Sequence, residues 1–240
     1  LDALVKLSSG DARRLLNLFQ ILVESEKDPV VVTDEKVLEA AQRRVALYDK
    51  GGEQHYDIIS AFIKSIRGSD PNAGVYWLAR MIEGGEDVKF IARRLVILAS
   101  EDIGNANPTA LVMATNCFQA VNVIGYPEAE IILAQCVTYL ASSPKSNASY
   151  MAIKQAKNLV RAHGDLPVPL SIRNAPTQLM KTEGYGKGYQ YAHDYPGNFT
   201  PHEFLPTSIE GTRLYDPGNN TREKELRARL KALWKEKYNY

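Results

Sequence analysis

Apolar residues recur along most of this chain at the three- and four-residue spacing of an α-helix, and the two-residue alternation of a half-buried strand is almost absent. The spacing predicts about eight helices, near residues 11–24, 34–46, 54–67, 71–83, 87–103, 108–124, 127–142 and 147–163. Boundary chemistry agrees with that periodicity. Thr33 is placed to cap a helix whose first turn carries Asp34 and Glu35. Asp70-Pro71 and Asn107-Pro108 each set a capping side chain before a proline at the first helical position. Gly68, Gly104, Gly125 and Gly164 stand where helices should stop. Beyond Gly164 the pattern changes. Residues 165–220 are rich in Pro, Gly and Tyr and weakly periodic, which predicts ordered coil, a short helix near 175–183 and a small hairpin around 204–215. A last amphipathic helix near 221–237 puts Leu226, Leu230, Leu233 and Lys237 on one stripe.

The helix expected over 87–103 is apolar on two sides. Val88, Ile91, Leu95 and Leu98 form one stripe; Phe90 and Ile97 form a second patch, with Arg94 between them in angle. Such a helix is enclosed either by its own bundle or by another chain, so Phe90, Arg94 and Ile97 are candidate oligomer-interface residues. The segment LYDKGGEQ (47–54) breaks the periodicity with two glycines and marks a boundary. The length allows one large domain or two smaller ones, and the composition changes again after Gly164.

Composition narrows the picture in three ways. With 45% hydrophobic and 24% charged residues the chain is an ordinary globular one. A net charge of +1 provides no overall field toward nucleic acid or membrane, so any such surface must be a local patch. Cys117 and Cys136 lie in apolar stretches, which predicts buried free thiols in a reducing compartment. No apolar run reaches the roughly 18 residues that a membrane span needs, and a soluble protein is expected. The chain starts at Leu1 in a helical pattern, as an excised piece of a longer protein would.

Three groups of residues could carry chemistry. Gly10-Asp11-Ala12-Arg13-Arg14 opens a helix and leaves Arg13 in the first turn, where a rigid guanidinium can point at a phosphate. A solvated arginine on a capped surface helix is the plainer alternative. Lys154, Lys157 and Arg161 recur along one helix as a basic stripe able to meet DNA phosphates, or simply to face water. Between 181 and 204, Lys181, Lys187 and His193 alternate with Tyr185, Tyr189, Tyr191, Tyr195, Phe199 and Phe204. These rings could stack unpaired bases, or pin irregular coil onto the helical body. The four histidines have no metal spacing, and no G-x-x-x-x-G-K-[ST] loop or acidic strand end is present to bind nucleotide and magnesium.

The motif SGDARRLLN resembles the sensor-2 element in the lid of AAA+ ATPases of the clamp-loader and Holliday-junction-helicase type. Two longer blocks are more specific: HYDIISAFIKSIRGSDPNAGVYWLARMIEGGEDVKFIARRLVILASEDIG (55–104) and RNAPTQLMKTEGYGKGYQYAHDYPGNF (173–199). They resemble the RarA/MgsA family of replication-associated recombination ATPases, relatives of the eukaryotic WRN-interacting ATPases. The resemblance implies an all-α chain: the end of a AAA+ lid over 1–48, a clamp-loader-collar-like oligomerisation domain over 49–166, and a family-specific segment over 167–240 packed on it. It implies that Arg13 is the sensor-2 arginine, with Gly10 and Asp11 shaping its helix start. It implies a homotetramer acting in DNA replication, repair and recombination, with DNA and single-stranded-DNA-binding protein as partners. ATP and magnesium would serve a DNA-dependent ATPase core lying outside this sequence; the chain itself is expected to be non-catalytic, without a cofactor, away from membranes, and cytoplasmic at the bacterial nucleoid.

Overall fold

The structure is a computed structural model that describes residues 4, 5, 15, 16, 19, 20, 22, 23, 32–38 and 53–240. Among these residues all regular structure is helical. Internal contacts divide the chain into two compact units, Leu1–Leu95 with Asn116–Ser142, and Val96–Thr115 with Ser143–Tyr240. Apart from its last two residues, the boundary expected over 47–54 lies outside the described residues.

Thr33 caps as its sequence predicts: Lys36 N–H donates to Oγ1 at 3.3 Å, and residues 34–38 are helical. Helix α1 (Glu53–Arg67) is followed by α2 (Pro71–Glu83). Asp70 caps α2 by accepting from the Ala73 N–H at 3.0 Å, with Pro71 pre-set in the first turn. Helix α3 (Val88–Leu98) buries Val88, Ile91, Leu95 and Leu98, the stripe its periodicity predicts. The helix expected to run on to 103 instead changes pitch. Ala99–Ile103 form a turn of π-helix, closed by Gly104 N–H on the Ala99 carbonyl, and Gly104–Ala106 a 3-10 turn. The wider turn buries Asp102 and Ile103 and offers the Asp102 carbonyl to Ser146 N–H at 2.8 Å.

Helices α4 (Thr109–Ile124) and α5 (Ala129–Ser142) form a hairpin through a cis Tyr126-Pro127 bond. They bury Ala114, Cys117 and Val121 on one side and Leu133, Cys136, Val137 and Leu140 on the other. In the first unit α1, α2 and α5 pack on one another. Gly74 of α2 permits that approach: a Cβ there would lie 3.0 Å from Val137 Cγ1 and 3.4 Å from Ile66 Cγ1. Cys117 and Cys136 are buried free thiols, as expected. Their mutual hydrogen bond lowers the Cys117 value and, with burial, raises that of Cys136.

The second unit carries α6 (Ala148–His163), the short α7 (Gln178–Thr182) and α8 (Thr221–Trp234). The hairpin expected around 204–215 is not formed; a 3-10 turn at Thr207–Ile209 stands there. The reason is that polar groups of this stretch find partners on the C-terminal residues instead of on each other. Glu203 pairs with Lys237 at 2.8 Å, Arg213 Nη1 donates to the Asn239 carbonyl, and Tyr215 Oη lies 3.4 Å from Glu223 Oε1. Helix α8 starts at Asn220, whose Oδ1 accepts the Glu223 N–H at 3.0 Å, and stops at Lys235, where φ is +50°.

Candidate interaction surfaces

Arg13, Asp11 and Gly10 lie outside the described residues. The three interface candidates on α3 differ in exposure: Ile97 is 47% exposed, whereas Phe90 and Arg94 are half-buried. Arg93, one turn on, sets its guanidinium over the Phe90 ring at 5.8 Å from the centroid. Arg94 Nε is buried without a hydrogen-bond partner among the described residues, an unusual state for so polar an atom.

A broader open surface lies on the α4–α5 hairpin. Helix α4 contains no charged residue, and α5 contains only Glu130. From Asn116 onward, the exposed positions are Asn116, Gln119, Asn122, Val123 and Ile124 on α4, with Glu130, Ile131, Gln135, Thr138 and Ser142 on α5. Val123 is 82% exposed and Ile131 72%. A surface helix normally mixes charges of both signs, whereas the centre of a protein–protein interface is depleted of them.

At one end of this hairpin the surface turns acidic. Tyr126 Oη donates to the Glu86 carbonyl at 3.3 Å, which brings the α4–α5 turn beside the α2–α3 turn. Burial first, then Glu130, Asp87, Glu86 and Glu83, push the Tyr126 phenol up to about 12. Because the folded value exceeds the ordinary one near 10, folding favours the neutral phenol. Its contribution is complete below about pH 10 and is lost as pH climbs toward 12. An NMR titration of the Tyr126 ring should therefore give a midpoint near 12; a midpoint near 10 would contradict the acidic surroundings described.

Lys154, Lys157 and Arg161 are all exposed on α6, which buries no residue fully. Half-buried Ala148, Ala152, Ala156 and Leu159 form the side held to the protein. The other side reads Val160, Ile153, Lys157, Tyr150, Arg161 and Lys154 in angular order, over roughly a third of the circumference. Ile153 and Val160 are 59% and 62% exposed, so the stripe is apolar and basic together, which periodicity by itself did not single out. A signal for it was present: residues 131–164 contain no Asp or Glu, and residues 95–144 no Lys or Arg.

In the 181–204 segment the rings divide. Tyr185 lies beneath Arg173, at 5.1 Å, and Phe199 packs edge-on against Trp234, pinning coil to the second unit. Tyr189, Tyr191, Tyr195 and Phe204 remain exposed, with His202 between Tyr189 and Phe204 in edge contacts and hydrogen-bonded to Ser171 at 3.0 Å. Lys181, Lys187 and His193 are exposed beside Glu183 and Asp194, so the patch has little net charge. No helix among the described residues is long and apolar enough to cross a membrane.

Among the described residues the fold is that of an all-helical region with exposed apolar and basic surfaces. Residues 68–234 match the family model described as MgsA AAA+ ATPase C terminal, and residues 1–67 that described as AAA C-terminal domain. The chain belongs to the MgsA AAA+ ATPase C-terminal family. It is 46% identical over 236 residues to an uncharacterized protein of Thermotoga maritima, covering 98% of this chain and 38% of that protein. It is 46% identical over 234 residues to replication-associated recombination protein A of Coxiella burnetii, covering 95% of this chain and 52% of the relative. It is 40% identical over 242 residues to the protein of that name from Escherichia coli K12, covering 99% and 54%. The chain thus spans about half the length or less of these relatives.

Proposed function

We propose that this chain is the assembly region of a AAA+ ATPase that maintains replication forks and takes part in recombination and DNA repair. It holds copies of the parent protein together as a homotetramer and shares in contact with DNA and with single-stranded-DNA-binding protein, in the cytoplasm at the nucleoid. ATP hydrolysis, with magnesium, belongs to Walker motifs elsewhere in the longer protein, and Arg13 serves that site as its phosphate sensor from a helix start shaped by Gly10 and Asp11.

The observation that carries this reading is the outer surface of α4 and α5, on which Glu130 is the single charged residue and Val123 and Ile131 are open to solvent. Leaving such side chains in water is unfavourable by roughly 25 cal/mol per Å² relative to burying them, which a second copy can recover. Light scattering of the purified chain at micromolar concentration should give a multiple of the chain mass. Two buried carboxylates introduced by Gln119→Glu with Gln135→Glu should lower it, since an unpaired charge at an interface centre costs several kcal/mol. A monomeric wild-type chain at those concentrations would overturn the reading.

A second reading, that the region binds fork or end-bearing DNA through Lys154, Lys157 and Arg161, is favoured by the exposure of all three on one helix. Ile153 and Val160 among them weigh against a phosphate-facing role, because nucleic-acid interfaces are polar and strongly positive.

A further inference from the structure

The outer side of α6 asks for a partner that is apolar and acidic at once. Its exposed residues are Ile153 and Val160 beside Lys154, Lys157 and Arg161, and the helix has no acidic residue to pair with those cations internally. The chain displays a surface of the complementary kind at the other unit's turns. There Val123, Ile124, Tyr126 and Ile131 are exposed, Glu83, Asp87 and Glu130 lie near Tyr126, and Glu128 is exposed in the same turn. Both surfaces set exposed apolar side chains beside charges, and the charges are of opposite sign.

We infer that the α6 face of one copy docks on the acidic, apolar corner at the Tyr126 turn of a second copy. The inference rests on the assembly reading above and names the surfaces that meet. Two different patches make such a contact head-to-tail, and a head-to-tail contact repeats around a ring when its rotation closes. Opposite charges at the rim set orientation and encounter rate, while burial of Ile153, Val160, Val123 and Ile131 supplies the apolar contribution. The affinity should fall with added salt, because the rim charges are solvent-exposed.

The test uses two charge-reversed chains, Lys154→Glu with Lys157→Glu, and Glu83→Lys with Glu128→Lys. Each by itself should weaken self-association at least about tenfold by sedimentation velocity, since like charges then face each other across the contact. An equimolar mixture of the two should associate within roughly threefold of wild type, because the reversed pairs match again. That recovery also excludes misfolding as the cause of either loss. If wild type associates but the reversed chains associate equally well, the docking pair is wrong while the assembly reading stands. Failure of the mixture to recover overturns it too. A Lys154→Glu, Lys157→Glu chain that keeps its mass but loses affinity for a fluorescein-labelled forked oligonucleotide assigns the face to nucleic acid and overturns it as well. A monomeric wild type removes both readings together.

Discussion

Replacing Glu223 by alanine is expected to destabilise the second unit by about 4 kcal/mol, read as a fall of roughly 10 °C in the thermal midpoint by circular dichroism. Glu223 is fully buried in the first turn of α8. Oε2 accepts from Asn220 Nδ2 at 2.6 Å, and Oε1 faces the Tyr215 hydroxyl at 3.4 Å. That hydroxyl also accepts from Asn105 Nδ2 at 3.2 Å, so the carboxyl group ties α8 to the 3-10 turn after the π-helix. Truncation leaves donors on Asn220 and Tyr215 without an acceptor, each costing about 1–3 kcal/mol, and adds a cavity. Glutamine keeps an acceptor oxygen and the volume and should cost only about 1 kcal/mol. The site is closely fitted: a Cβ on Gly218 would lie 2.6 Å from Oε2. An alanine variant within 1 kcal/mol of wild type would show that this network does not hold α8 in place.

Leu133→Ala should cost about 3 kcal/mol in the first unit, within the range for a large-to-small change in a core that relaxes only partly. Leu133 is fully buried on α5, among Cys136, Val137 and Leu140. Ile131, two positions earlier, is 72% exposed, and Ile131→Ala should change the stability of the dilute chain by less than about 0.5 kcal/mol while weakening self-association. Urea unfolding of both variants, at a concentration too low for association, separates them. Equal losses would mean that Ile131 is packed within the chain, and the open α4–α5 surface would lose its strongest apolar group.

How much of this was legible beforehand varies with the range of the interaction. The Asp70 cap, the Thr33 cap and the Val88, Ile91, Leu95, Leu98 stripe were readable because each is settled within a few residues of chain. The stripe Leu226, Leu230, Leu233 and Lys237 is half-buried along the last helix and its end, as its spacing predicts. The hairpin near 204–215 was misread. Glu203, Arg213 and Tyr215 bond to residues of the C-terminal helix and tail, which no local pattern reveals. Among the surfaces, the double-sided pattern of α3 drew notice to Phe90, Arg94 and Ile97. The more open face belongs to α4 and α5, whose exposed asparagines and glutamines look unremarkable one by one.

The amino-acid order by itself determined that the chain is helical, where most helices begin and end, and which family it belongs to, because caps, prolines and three-to-four spacing act over single turns. Only the tertiary structure decided that Glu223 is sealed inside, that α3 widens into a π turn, and that Ile153, Val160, Val123 and Ile131 stay in water. Burial is a property of what lies across a contact. A side chain's neighbours in space are set by packing between distant segments, and the spacing of residues along one helix carries no record of them.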